Sequence, residues 1–270
     1  MAFFGAGCAS QEEPAVEAKE EPTGSVASIG VQLYTVRSLM QEDFAGTIER
    51  VARIGYKELE FAGYFDHSPA DVRTLIDGLG LTAPAVHVGI DSLRSDLDAV
   101  IESATIIGHR YIVCPYLNED ERTLDHYKQH AEFFNTVGEA CKAAGVQLAY
   151  HNHDFEFFET DGVLPYDVLL AETDSALVQM ELDLYWIKKA GYDARAYFEA
   201  HPGRFPLCHV KDMTADGEMT SVGSGEIDFG AIFAVSAEAG LEHYFVEHDF
   251  PADPMQSITD GYAHVAALRF

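Results

Sequence analysis

The sequence is poor in basic residues. Its 270 residues include 17 lysines and arginines against 45 aspartates and glutamates, which gives a formal net charge of −28. Such a surface repels phosphate backbones and anionic membranes, and therefore argues against nucleic-acid binding. The charge is compatible with a neutral small-molecule substrate, with a site where a bound metal reverses the local field, or with a saline habitat.

Several common signatures are missing. The chain has only four cysteines and no CxxC pair, so we predict neither a disulfide framework nor a structural zinc site. No run of eighteen apolar residues is present, and no transmembrane span is therefore predicted. The absence of a Walker motif, HExxH and GxSxG argues against P-loop nucleotide binding, zincin chemistry and α/β-hydrolase chemistry.

The first 27 residues differ in composition from the rest. Small residues precede Cys8 in MAFFGAGCAS, and an acidic, proline-containing segment follows. This arrangement resembles the cleavage region and tether of a bacterial lipoprotein, although Gly5 stands where a lipobox prefers leucine and no positive charge precedes it. We expect residues 1–27 to be a disordered tail with a lipid anchor at Cys8, which places the protein in the cell envelope or periplasm. A tail without function on a cytoplasmic protein is the alternative.

A helix, a glycine and a short apolar run recur along residues 28–270, as in VARIGYKELEF, ATIIGHRYIVCP and KAAGVQLAYH. Glycine ends a helix in the left-handed conformation, and a continuous apolar run is typical of a strand buried on both faces. Strands are predicted near 29–34, 57–61, 83–88, 111–114, 146–151, 178–184, 206–210 and 244–248. Eight strand–helix units predict a single-domain (β/α)₈ TIM barrel. A doubly wound open sheet is the alternative, but GVQLYTVRS lacks its phosphate loop.

Polar side chains lie where the predicted strands end, and the carboxyl ends of barrel strands meet on one face. They include Glu58, Glu60, His87, His151, His153, Glu181, Asp183, His209, Lys211, Glu247 and Asp249. Taken singly, each has a plainer explanation, such as a structural histidine, an ion pair of Glu58 or Glu60 with Arg37, or, for Trp186, a core aromatic. Together they are costly to bury unless they bind something, and imidazoles with carboxylates suit a divalent cation.

Six segments carry a resemblance to a known family. GVQLYTVR, AYHNHDFEF, ELDLYW, CHVKD, GSGEIDF and VEHD, in this order, resemble the sugar phosphate isomerase/epimerase family with its xylose isomerase-like barrel. The resemblance covers residues 28–270 and implies one ion held by strands five to eight: Mn²⁺, with Co²⁺, Mg²⁺ or Zn²⁺ as alternatives. Asp183, His209 and Glu247 match the last three ligands. The family's strand-five glutamate is replaced by HNH, where we favour His151 over His153.

The resemblance also implies the chemistry. We expect a metal-dependent isomerase, epimerase or related lyase that acts on a carbonyl-bearing sugar. Glu247 is the expected general base, and His153 or Lys211 is expected to return the proton or to stabilise the oxyanion. The GSGEIDF segment resembles a substrate-covering loop. Contacts to the sugar are expected from Trp186 and Glu60. His87 and Glu156 are expected either to contact sugar hydroxyls or to support the ligand residues from behind.

Two other interpretations remain open. The first is a non-catalytic sugar-binding lipoprotein that retains the barrel without its chemistry. The histidine that replaces glutamate on strand five supports this interpretation. An apurinic endonuclease-like hydrolase belongs to the same barrel superfamily and needs three zinc ions and a DNA-binding surface. The net charge of −28 argues against this hydrolase, as does Trp186, which stands where such enzymes have a histidine.

Overall fold

A closed barrel of eight parallel strands forms the centre of the computed structural model, which describes residues 1–3 and 24–270. The strands in chain order are β1 (Ile29–Gln32), β2 (Glu58–Phe61), β3 (Thr82–His87), β4 (Tyr111–Cys114), β5 (Gln147–His151), β6 (Val178–Asp183), β7 (Leu207–Val210), β8 (Asp212–Met213), β9 (Met219–Thr220) and β10 (His243–Val246). The short β8 and β9 form a separate antiparallel pair, and β10 closes the barrel on β1. The predicted TIM barrel is confirmed, and each predicted strand overlaps an observed one.

Helices lie between the strands and cover the barrel. They are α1 (Arg37–Glu42), α2 (Phe44–Ile54), α3 (Pro69–Gly78), α4 (Ile90–Ser95), α5 (Leu97–Ile107), α6 (Leu124–Ala143), α7 (Pro165–Glu172), α8 (Leu184–Lys189), α9 (Ala194–Ala200), α10 (Phe229–Phe233), α11 (Ser236–Ala239) and α12 (Pro254–Ala267). Gly108 ends α5 at φ 91°, in the left-handed region that favours glycine. Asp253 caps α12 by accepting from the backbone N–H of Gln256, and Pro254 occupies the first turn, as the sequence predicts.

The strands bury both faces, but the two faces differ in chemistry. Outward side chains such as Val31, Leu59 and Leu148 join the large apolar core shared with the helices. Because side chains alternate along a strand, Leu207 and His209 of β7 both point into the barrel. Apolar residues fill part of this interior, whereas the side chains at the carboxyl ends are polar. The alternation thus places the polar residues of several strands around one opening.

The described end of the amino-terminal segment is attached to the barrel. Gly24 exchanges two backbone hydrogen bonds with Phe270, at 2.6 and 3.1 Å, and Val26 packs against the core. Residues 24–27 form no helix or strand, as the sequence predicts, but Gly24 and Val26 contact the barrel, which the sequence does not predict. Cys8 and most of the predicted tether lie outside the described residues. Among residues 1–3 and 24–270, no helix is long and apolar enough to cross a membrane.

Candidate metal centre and its cavity

Four side chains gather at the carboxyl end of the barrel. His151 ends β5, Asp183 ends β6, His209 lies in β7 and Glu247 follows β10, and these four strands are neighbours in the barrel. Each residue offers one ligand atom, and these atoms all lie within 4.8 Å of one another in a fully buried group. The structure therefore brings together the four ligands predicted from the sequence, with His151 rather than His153 in the group.

The hydrogen bonds of His151 leave one ring nitrogen free for a ligand. Its Nδ1–H donates to the backbone carbonyl of Pro115 at 3.2 Å, because a carbonyl can only accept. Burial and the neighbouring His209 lower the pKa of His151, which favours the neutral ring. The lone pair of Nε2 then faces the carboxylate of Asp183 at 3.2 Å. Two acceptors that face each other in a buried site are stabilised by a cation between them.

His209 is held in the same manner by a carboxylate. Its Nε2–H donates to Glu60 Oε2 at 2.7 Å, and Glu181 Oε2 lies 3.2 Å from the same nitrogen. The opposite nitrogen, Nδ1, lies 2.7 Å from Glu247 Oε2 and 3.5 Å from Asp183 Oδ2. A histidine that ligates a metal commonly donates its other ring N–H to a carboxylate in this way.

The donor atoms of the group fit a metal ion. His209 Nδ1 is buried and forms no hydrogen bond with acceptable geometry, although Glu247 Oε2 lies 2.7 Å away. Two imidazole nitrogens and two carboxylates form a donor set that suits a divalent transition-metal ion. The group could therefore hold such an ion.

Lys211 brings a positive charge to the same place. Its side chain is 2% exposed, and Nζ lies 3.0 Å from Asp183 Oδ2, 2.7 Å from Glu247 Oε2 and 2.9 Å from Asp249 Oδ1. Burial alone would raise the pKa of Glu247, but Lys211 and His209 outweigh it and hold that pKa well below its usual range. Burial and Glu247 raise the pKa of Asp249 to about 6. At neutral pH, Glu247 is thus ionised and Lys211 protonated.

A second polar group surrounds His209 and comprises Glu60, His87 and Glu181. His87 Nε2 donates to Glu181 Oε2 at 2.8 Å and lies 3.4 Å from Glu60 Oε1. Burial and the charge of Glu181 raise the pKa of Glu60 to about 7. The sequence predicts no individual role for Glu181, although the alternation in Glu181-Leu182-Asp183 places it on the face of Asp183.

A cavity of about 470 Å³ opens above the four-ligand group. Its wall includes Tyr34, Ala62, His87, Gly89, Pro115, Tyr116, His151, His153, Trp186, His209, Lys211, Glu247, Asp249 and Phe250. The predicted sugar contacts Trp186 and His87 line it, and so do His153 and Lys211. Glu60 does not line it: this fully buried residue holds His209 and cannot contact a substrate in the described structure.

Glu156 lies behind the cavity wall, which is one of the two positions expected for it. It is fully buried, accepts from the hydroxyl of Tyr150, and accepts from the backbone N–H of His153 at 2.8 Å. Burial raises its pKa to about 7. Glu156 therefore fixes the turn that carries His153, and it acts on the cavity only through that turn.

The GSGEIDF segment is organised by Asp212, whose role we missed in the sequence. The carboxylate of Asp212 accepts from the backbone N–H groups of Gly223, Gly225 and Ile227 at 2.9, 2.9 and 3.2 Å. A Cβ at Gly225 would lie 2.3 Å from Asp212 Oδ1, so glycine is required there. The described cavity wall contains no residue of this segment, and its predicted role of covering the substrate stays a prediction.

Glu60→Gln is expected to weaken metal binding by about 10–100-fold, because the uncharged amide oxygen accepts from the Nε2–H of His209 more weakly than the carboxylate does. Competition between the protein and a fluorescent chelator for Mn²⁺ measures this change. Glu58→Gln is the matched control, since Glu58 lies on the same strand and pairs with His243 at 2.8 Å instead. Equal metal affinity of the two variants would mean that Glu60 has no influence on the ligand group.

Fold and site together define a class of protein: a (β/α)₈ barrel with a candidate divalent-metal centre at the carboxyl ends of four neighbouring strands. Residues 48–268 match the xylose isomerase-like TIM barrel family, and the chain belongs to this family.

Known proteins resemble the chain to different extents. The inosose dehydratase of Clostridium perfringens is 28% identical over 148 residues, which span 48% of this chain and 48% of that relative, so about half of its length is matched. A solved sugar phosphate isomerase/epimerase from Parabacteroides distasonis is 26% identical, with a TM-score of 0.76 over 94% of this chain and 99% of that one. The IOLI protein, solved with a zinc atom, shares the fold at 16% identity and a TM-score of 0.73, over 90% of this chain and 99% of that one.

Proposed function

We propose that the protein is a metal-dependent enzyme that removes the proton next to the carbonyl of a sugar or cyclic polyol. The observation that carries this proposal is the buried group of His151, Asp183, His209 and Glu247, with both histidines oriented toward the carboxylates, at the floor of an open cavity. The similarity to a sugar phosphate isomerase/epimerase and to inosose dehydratases supports a sugar-modifying enzyme.

The residues of the cavity have distinct roles in this proposal. A bound divalent ion, for which we propose Mn²⁺, supplies Lewis acidity to the substrate carbonyl. Glu247 is ionised and accepts the neighbouring proton, and Lys211, which is protonated 2.7 Å from it, donates a proton to a substrate oxygen. Burial and His151 lower the pKa of His153, so its ring is neutral and forms a wall beside Trp186.

Within this class, the geometry favours a lyase. An epimerase needs one acid–base group on each face of the carbon, and the family's strand-five glutamate supplies one of them. Here His151 uses Nδ1 for Pro115 and offers Nε2 to the ligand group, so neither nitrogen is free for proton transfer. An elimination needs only one base: Glu247 takes the proton, a carbon–oxygen bond breaks, and Lys211 protonates the leaving oxygen.

Metal analysis and proton exchange test this function. Mass spectrometry of Mn²⁺-loaded protein should give one ion per chain, and incubation with inososes and keto-sugars in D₂O should exchange the α-proton or form an unsaturated ketone. Formation of an epimer without elimination would show that the activity is that of an epimerase and not of a lyase. Bound metal without exchange or turnover on any of these compounds would favour the non-catalytic sugar-binding protein instead.

A further inference from the structure

The cavity has two chemically different zones. Its floor is polar and contains His151, His209, Lys211 and Glu247. Its mouth is lined by three aromatic side chains that we name the aromatic rim: Tyr34, Tyr116 and Phe250, which are 36%, 45% and 78% exposed. A single exposed aromatic residue on a protein surface is normal. Several that surround a concave site are typical of ligand recognition.

Two arginines hold the aromatic rim in place. Arg37 lies over Tyr34 at 3.8 Å and over Phe250 at 5.1 Å, and its guanidinium donates to the carbonyls of Tyr34 and Asp249 at 2.7 and 2.8 Å. It therefore does not form the ion pair with Glu58 or Glu60 that the sequence left open. The rim is thus oriented on this side before any ligand binds.

The opposite side of the mouth is built in the same way. Arg122 lies 4.6 Å from the ring of Tyr116 and 3.5 Å from that of Phe155, and it donates twice to the carbonyl of Leu117. Tyr116 also packs edge-on against His153 at 5.3 Å. Rings that are already fixed lose little conformational entropy when a ligand stacks on them.

We propose that the aromatic rim is a subsite for a second ring, so that the substrate is a glycoside rather than a free monosaccharide. This inference rests on the proposed function: the carbonyl-bearing sugar occupies the polar floor, and a second sugar or an aryl group stacks on the rim. Both kinds of second ring present a flat apolar face to an aromatic side chain. The cavity volume of about 470 Å³ falls in the range of roughly 300–1,000 Å³ that is typical of drug-sized ligands.

Matched pairs of inert glycosides test the subsite. Calorimetry on the metal-loaded full chain compares methyl β-glucoside with phenyl β-glucoside and cellobiose, and methyl α-glucoside with phenyl α-glucoside and maltose. At least one two-ring ligand should bind about tenfold more tightly than the methyl glucoside of the same anomer, as expected for a ring-stacking contact. Whether the phenyl compound or the disaccharide gains more identifies the kind of second ring.

Variants of the aromatic rim test whether its side chains cause the tighter binding of two-ring ligands. In the double variant Tyr116→Ala with Phe250→Ala, the affinity for the two-ring ligand divided by that for the methyl glucoside of the same anomer should fall to near one. Phe158→Ala is the matched control, because Phe158 is 57% exposed but does not line the cavity, and it should keep the wild-type ratio. Circular dichroism verifies that each variant is folded.

Three results would overturn the subsite: equal affinity of one-ring and two-ring ligands, a ratio that survives in the double variant, or no measurable binding by any two-ring ligand. Failure of the proposed function looks different, because it would leave the two-ring advantage intact while no keto-sugar exchanges its α-proton. Proton exchange on monosaccharides without a two-ring advantage would retain the function and remove the subsite.

Discussion

Glu247→Gln is expected to lower turnover by about 10²–10⁴-fold, the usual contribution of a general base. The amide retains the shape and a weak ligand oxygen but cannot accept a proton. Glu247 Oε2 lies 2.7 Å from both His209 Nδ1 and Lys211 Nζ, so the carboxylate stands at the edge of the ligand group beside a proton donor. Substrate binding to the metal-loaded variant should be largely retained, and kcat should fall more than KM rises.

His209→Ala should also lose activity, but for a different reason. Its imidazole has no role in proton transfer in this scheme, but its loss removes a ligand atom, so metal binding itself should weaken and added Mn²⁺ should restore part of the activity. Exchange of the α-proton with D₂O, measured for both variants at saturating metal, separates base from ligand. Exchange at the wild-type rate in metal-loaded Glu247→Gln would show that Glu247 serves only as a ligand, and His153 or Lys211 would then be tested as the base.

The fold could be predicted from the sequence because its signals are local. Glycines such as Gly108 end helices, and the apolar runs that follow them have the length typical of strands. The ligand group could be predicted for a related reason. Once the strands are known, barrel geometry places every residue at a carboxyl end on one face. The resemblance to the family then selects Asp183, His209 and Glu247 from these residues, with His151 favoured on strand five.

The other residues of the site could not be predicted in the same way. Their roles depend on how deeply each side chain is buried and where it points, and a position along a strand specifies neither. Glu60 and His87 lie at or near the carboxyl ends of their strands, yet Glu60 is fully buried against His209 while His87 lines the cavity. Glu156 follows β5 like a cavity residue, but its 3₁₀ turn directs the carboxylate back toward the N–H of His153. The position of Glu60 depends on a contact with a strand distant in sequence, and that of Glu156 on the geometry of a turn, so the alternation along a strand reveals neither.

Lys211→Met is expected to reduce the free energy of unfolding of the metal-free protein by about 3–5 kcal/mol, the usual cost of removing one partner from a buried charge group. Methionine keeps most of the side-chain volume, but Asp183, Glu247 and Asp249 lose the ammonium that lies within 3.0 Å of each of them. Urea denaturation in a chelating buffer measures the loss. Lys188→Met, at an exposed position on α8, is the control and should stay within about 0.5 kcal/mol of wild type.

Metal and pH then distinguish a charge effect from a packing effect. Saturating Mn²⁺ should restore part of the lost stability, because a divalent ion neutralises the same carboxylates, so the metal should stabilise Lys211→Met more than wild type. The pKa of Asp249 is about 6 in the folded protein, above its ordinary value. Its protonation as the pH falls through that value relieves the repulsion, and the deficit should therefore be smaller at about pH 5 than at about pH 8. A deficit that responds to neither metal nor pH would mean that Lys211 stabilises the barrel only by filling space.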